Sequence, residues 1–147
     1  MATDRQYCTF YLDGLYLGVE VQTVQEVIRY QHMTRVPLAP GVIRGLINLR
    51  GQIVTAIDLR TRLELAERPP DRQPMNVIVR TEEGPMSLLV DEIGDVVRVD
   101  EGTFEPIPDT LRGSVRALIR GAYKLPDRLL LSLNIQQAVC LPTDLTP

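Results

Sequence analysis

Residues 45–60, GLINLRGQIVTAIDLR, alternate apolar and polar side chains, break at Arg50-Gly51, and then resume the alternation. A period of two sends successive side chains to opposite faces of a pleated strand, so the stretch reads as two half-buried strands meeting at a tight turn. Upstream, YCTFYLDGLYLGVEV (residues 7–21) repeats the pattern around Asp13-Gly14, a dipeptide that supplies the positive φ a two-residue hairpin needs. Downstream, MNVIVRT (75–81) and MSLLVDEI (86–93) are strand-like and joined by Glu82-Glu83-Gly84-Pro85, and VVRVD (96–100) adds a further strand. SVRALIRGAYKL and RLLLSLNI are expected to close the set as a hairpin about Pro126-Asp127.

Between these strands the punctuation is proline and charge. ELAERPPDRQP and FEPIPDTLRG read as surface loops. Val21, Val24, Val27 and Ile28 recur at spacings of three and four, which predicts a short helix running into a strand, with Val21 and Val24 on one helical face. RVPLAPGVIRGL predicts a loop entering one or two helical turns around Val42 to Leu46. The tail NIQQAVCL predicts a short helix capped by Asn134, with Gln137 in the capping-box position. Eight to ten short strands, turn signals every eight to twelve residues and only brief helices indicate an all-β barrel or pair of barrels. Apolar hairpins around Gly51 and Pro126, each beside a short helical segment, form a weak internal echo that allows a two-lobed arrangement.

Composition narrows the possible functions. The 147 residues suffice for one domain or two small lobes sharing a core. No apolar run is long enough to span a bilayer, and MATDRQYCTFYLDG lacks a signal-peptide pattern, so cytoplasm is the expected compartment. The formal charge is -3 and the arginines are spread singly, which argues against a nucleic-acid footprint. Cys8 and Cys140 lie among apolar residues and are expected as small buried hydrophobes, not metal ligands. His32, the sole histidine, has no partner at ligand or relay spacing. Ser87, Ser114 and Ser132 lack a nucleophile elbow, and Asp91, Glu92 and Asp95 read as solvated charges at a strand end. With no catalytic, metal or cofactor motif, the chain is expected to act through its surface.

The runs VQTVQEVIRY, RVPLAPGVIRGLINLRGQIVTAIDLR, SLLVDEIGDVVRV and RLLLSLNIQQAV, in that order across nearly the whole chain, closely resemble the CheW family of chemotaxis adaptor proteins. The family usually has proline where this chain has Thr55, and the segment around Ala122-Tyr123 also departs slightly from its common pattern. The resemblance implies a single CheW-like domain over residues 1–147, made of two five-stranded SH3-like barrels with short helices. The terminal segments would form one lobe and the middle of the chain the other. It also implies a non-catalytic, cofactor-free adaptor, monomeric when isolated and not inserted in the membrane. Such an adaptor joins the cytoplasmic tip of a chemoreceptor to a CheA-type histidine kinase in membrane-proximal arrays.

The family positions for receptor contact match Leu12, Val21, Val24, Glu26, Val27, Arg50 and Ile93 here, and those for kinase contact match Val36, Val42 and Gly51. Each aliphatic could equally serve the core. Arg50 could be a solvated hairpin tip, or its planar guanidinium could pair with Glu26 and organise a partner-facing surface. The rival readings are a coupling protein of a non-flagellar chemosensory pathway and a β-barrel that senses a small molecule in an inter-lobe groove.

Overall fold

The computed structural model describes residues 4–140. Leu141, the last residue of the expected tail segment, and both ends of the 1–147 domain therefore lie outside the described residues. In chain order the elements are β1 (Asp4–Leu12), β2 (Leu15–Glu20), β3 (Val24–Ile28), β4 (Ile43–Leu49), β5 (Gln52–Asp58), α1 (Leu59–Arg62), β6 (Met75–Thr81) and β7 (Gly84–Val90). They continue with β8 (Glu92–Asp100), β9 (Phe104–Glu105), α2 (Gly113–Leu118), β10 (Ile119–Lys124), β11 (Leu129–Leu133) and α3 (Ile135–Val139). The architecture is all-β, as the alternation predicts. One sheet has the order β8-β1-β2-β11-β10-β9 and the other β3-β6-β7-β5-β4. The first lobe therefore has six strands, not five, because the two-residue β9 pairs with Ala122 and Tyr123.

Each sheet curls until its edges meet, which gives the two SH3-like lobes. In the five-stranded sheet β3 and β4 are opposite edges, yet Ile28 of β3 packs against Leu49 of β4 together with Val54 and Ile78. In the six-stranded sheet Val99 of β8 shares a buried cluster with Tyr123 of β10. A third cluster is the largest and belongs to both sheets: Phe10, Leu12 and Leu17 pack in one body with Ile57, Leu88 and Val90. Each such side chain, fully removed from water, contributes about 1.5–3 kcal/mol. This shared core is what holds the lobes together.

The chain crosses between the sheets twice. After β2 it leaves the first lobe through a 3₁₀ turn, Val21–Thr23, and enters the second as β3; after β7 it returns through Asp91 and becomes β8. Each lobe is thus closed by a strand that follows the other lobe's hairpin. The internal echo is sharper in the register than in the sequence. β4 and β5 pair Ile43 with Ile57 and Gly45 with Ala56 across a bulge, while β10 and β11 pair Ile119 with Leu133 and Gly121 with Ser132 across another. Both hairpins then dock in parallel on a neighbour, β5 on β7 and β11 on β2. Both end in a helix cap, where Asp58 Oδ1 accepts from Arg60 N–H at 3.1 Å and Asn134 Oδ1 accepts from Gln137 N–H at 3.1 Å.

Several local expectations are corrected. Val42 to Leu46 is not helical: the chain turns and enters β4, whose residues from Ile43 to Leu49 become alternately more and less buried. Gly45 belongs to this strand because Thr34 crosses its face, and a Cβ there would lie 2.7 Å from Thr34 O. Residues 114–118 of the expected final strand pair are helical, part of α2 and entered through Gly113 at a φ of 63°. The Val21–Thr23 helix is one 3₁₀ turn, so Val24 is already a strand residue paired with Val79 and shares no helical face with Val21. The strand expected through MSLLVDEI breaks at Asp91. Cys8 is half-buried, but Cys140 is exposed past the end of α3, where no element covers it.

Candidate partner-binding site

Arg50 and Gly51 both adopt positive φ, 51° and 88°, the conformation of a two-residue hairpin turn whose twist matches its strands. Asn48 Oδ1 accepts the Gly51 N–H at 2.9 Å and fixes the turn from below. The turn aims the Arg50 guanidinium across the closed edge of the barrel toward β3, where Arg50 Nη2 donates to Glu26 Oε2. Two residues on opposite edges of one sheet therefore meet because the sheet closes. Arg50 remains 67% exposed against 26% for Glu26, so the carboxylate is fixed while much of the cation still faces solvent. The Arg50 hydrogen bond holds the Glu26 carboxyl below its ordinary range, and the same bond raises the guanidinium.

Around this pair the structure separates the aliphatic candidates. Val27 is exposed beside Glu26 on β3. Val21 is half-buried at the first crossover, and Val24 and Ile93 pack half-buried on the shared core. Val24 opposes Val79 on β6 and Ile93 opposes Phe10 on β1, so the two occupy matching places near the start of the strands that follow the two crossovers. They flank the seam between the lobes. Leu12 is fully buried in the shared core and offers no surface of its own; it can only support the seam from beneath.

Val36, Val42 and Gly51 do not come together. Val42 immediately precedes β4 and Gly51 follows its far end, which places them about 20 Å apart at the rise of a strand. Val36 is exposed on a depression of about 810 Å³ that also takes in Tyr30, Met33, Arg35 and Arg44. Val42 is half-buried, and its carbonyl accepts the Asp58 N–H at 2.8 Å. Gly51 shares the hairpin tip with Arg50.

Two features escaped sequence reasoning. Leu38, beside Val36, is wholly exposed at a φ of 65°, in a turn closed by the Ala39 N–H donating to Val36 O at 3.3 Å. Pro37 signals the turn, but nothing in the sequence signals a leucine at the position that favours glycine. The second is a buried charge cluster. Asp91 accepts from Arg60 Nε at 2.9 Å, Arg60 Nη2 at 2.6 Å, Arg68 Nε at 3.0 Å and the Asp13 N–H at 2.8 Å. Burial alone would raise the Asp91 carboxyl, but the Arg60 bonds, the Asp13 amide and Arg68 outweigh it and hold the group at about 2. This corrects the expectation that Asp91 is a solvated turn charge.

Nothing in this geometry assembles a reaction centre. His32 is exposed, and among the described residues no group of three or more His, Cys, Asp or Glu converges as a metal-ligand set. Among the described residues no helix is long and apolar enough to cross a membrane. What the site offers is an oriented cation beside the exposed Val27, with half-buried aliphatics flanking the seam between the lobes.

Comparison with known proteins agrees with the family that the Arg50 stretch resembles. The family model described as CheW-like domain matches residues 6–140. The chemotaxis protein CheW of Bacillus subtilis (strain 168) is 31% identical over 128 residues, covering 87% of this chain and 82% of that protein. A probable chemotaxis protein CheW of Rhizobium etli is 25% identical over 133 residues, covering 90% and 86%. Among solved structures, the scaffolding protein TtCheW from Thermoanaerobacter tengcongensis superposes with a TM-score of 0.80 at 28% identity, covering 89% of each chain. With nearly all of its described length inside the family model and the same two-lobed fold, this chain belongs to the CheW-like domain family.

Proposed function

We propose that the chain is a non-catalytic chemotaxis adaptor that couples chemoreceptor tips to a CheA-type histidine kinase, acting as one CheW-like domain over residues 1–147. The observation that carries this reading is the Glu26–Arg50 pair, oriented by barrel closure and set beside Val27 near the inter-lobe seam. A receptor hairpin laid along that seam would rest on Val21, Val24 and Ile93, with the remaining N–H groups of Arg50 donating to a carboxylate or carbonyl of the partner. The kinase would dock on the surface around Val36 and Val42, with Gly51 belonging to the Arg50 tip. Family membership supports both contacts, and the absence of a nucleophile–base pair from the site fits docking as the activity. Such a protein would work in the cytoplasm at the receptor array, where weak individual contacts gain strength through multivalency.

Co-sedimentation with receptor-bearing membranes and purified kinase tests the reading. Glu26→Ala and Arg50→Ala are expected to keep the wild-type melting temperature, because the pair is solvent-screened. Both variants should lose receptor co-sedimentation. Full retention of receptor and kinase by both variants would refute the assignment of the pair. A small ligand that raised the melting temperature with no partner present would favour the sensor alternative.

A further inference from the structure

The two crossovers between the lobes are built from different materials. The second is the single residue Asp91. Its N–H donates to Tyr11 O at 3.1 Å, and its carboxylate receives Arg60, Arg68 and the Asp13 amide. Asp91, Arg60 and Arg68 are each buried, with Asp58 also buried 3.6 Å from Arg68 Nη2. Arg60 further donates to Ala66 O at 2.9 Å and so ties down the chain beyond α1. Arg62 reaches across to α3, donating to Ala138 O at 3.0 Å and Gln137 O at 2.8 Å.

The first crossover is the three-residue 3₁₀ turn Val21–Thr23, held by the Thr23 hydroxyl donating to Glu20 O at 2.7 Å and by arginines that face water. Glu20 pairs with Arg5 at 2.7 Å and Arg120 at 3.9 Å, the arginine side chains being 44% and 49% exposed. Arg80, also exposed, donates to Gln22 O at 3.0 Å and Val24 O at 3.1 Å. Screened pairs yield at little cost, whereas opening a buried pair strands charges away from water. A short 3₁₀ turn can also change its winding without disturbing a long hydrogen-bond ladder.

We propose that the molecule is an asymmetric hinge, with Asp91 as the fixed pivot and Val21–Thr23 as the segment that gives, so that the lobes open on the side carrying Val21 and Val24. The proposal rests on the adaptor reading and deepens it, because the width of the seam at Val21 and Val24 becomes the quantity that a docked partner sets. Ile93, two residues past the pivot, stays in place.

Two measurements on the isolated protein test the hinge. In wild type, hydrogen exchange should show the Asp13 and Asp91 amides exchanging at least about ten-fold more slowly than the Val24 amide, which bonds back to Val21 O within the turn. Equal or reversed protection overturns the proposal. Spin labels at Gln52→Cys and Asp127→Cys, one on each lobe's exposed hairpin tip, in a Cys8→Ser, Cys140→Ser background, report the inter-lobe distance. Asp91→Asn should broaden that distribution, and a folded variant with the wild-type distribution overturns the proposal. If Asp91→Asn does not fold, the wild-type exchange comparison decides alone. Neither measurement involves a receptor or kinase, so failure of the hinge leaves the adaptor reading standing, and failure of the co-sedimentation test leaves the hinge result unaffected.

Discussion

Replacing Asp91 with alanine should be among the most damaging single changes to stability, and its cost should depend on acidity in a defined way. The substitution removes the acceptor for Arg60 and Arg68 at once and leaves the Asp13 N–H without its carboxylate. Arg68 Nη2 already lacks a hydrogen-bond partner, and the remaining carboxylates, Asp58 at 3.6 Å from Arg68 and Asp13 at 3.7 Å from Arg60, lie beyond hydrogen-bond reach. Stranding a buried charge by deleting its partner costs about 3–5 kcal/mol. The carboxyl sits at about 2 in the folded chain against an ordinary 3.8, which corresponds to about 2 kcal/mol at neutral pH. Because the folded value is the lower one, this contribution is complete above the unfolded value and is lost as pH falls through the folded value. Urea unfolding of wild type and Asp91→Ala at about pH 6 and about pH 2.5 should show the difference between them shrinking by about 1–2 kcal/mol on acidification. Titration of other groups largely cancels in that difference. A gap that stayed constant with pH, or one below about 1 kcal/mol throughout, would refute the account of Asp91 as a buried, ionised anchor.

Further predictions concern other places in the fold. Gly45→Ala should lower stability by about 1–3 kcal/mol, because its methyl would meet the Thr34 carbonyl at 2.7 Å and Met33 Cβ at 3.0 Å. Amide exchange should show the Thr34–Leu46 bridge released in that variant. Ser87→Ala should cost about 1–2 kcal/mol in chemical denaturation, since Ser87 Oγ donates to Asn76 Oδ1 at 2.7 Å in a fully buried setting. Val24→Asp sets a carboxylate against the shared core and should destabilise by about 2 kcal/mol or more, whereas Val27→Asp, on an exposed position, should leave the melting temperature near wild type.

The hairpins were legible because their signals are local. Asp13-Gly14 and Arg50-Gly51 supply their own positive φ, and the alternation on either side fixes which residues face inward. The Asn134 cap was legible for the same reason. The helix expected at Val42 to Leu46 failed because Val, Ile and Leu at mixed spacing fit either period, and the choice was made by Thr34 and β5 lying across the segment. Residues 114–118 failed in the opposite sense: running into Ile119–Lys124 they read as strand, but the pairing with β11 begins only at Ile119.

The site was partly legible. Glu26 and Arg50 were paired from resemblance, but the reason they meet, two opposite sheet edges brought together, is written in no short window of sequence. Asp91 was misjudged because its arginine partners lie 31 and 23 residues away, while its own neighbours are the polar residues of an ordinary turn. Leu12 could not be told from a surface aliphatic until the second sheet was seen to cover it.

The insertion of the second lobe between β2 and β8 of the first has a kinetic consequence. The second barrel, β3 to β7, is one contiguous stretch of chain, but the first cannot close until β8 to β11, delivered from beyond that insertion, meet β1 and β2. Contacts such as Tyr7 with Ser132, 125 residues apart, must form before the first lobe gains most of its reward. Folding should accordingly be slow for a chain of this size, and because the largest core cluster belongs to both sheets the second lobe should not persist alone as a stable intermediate.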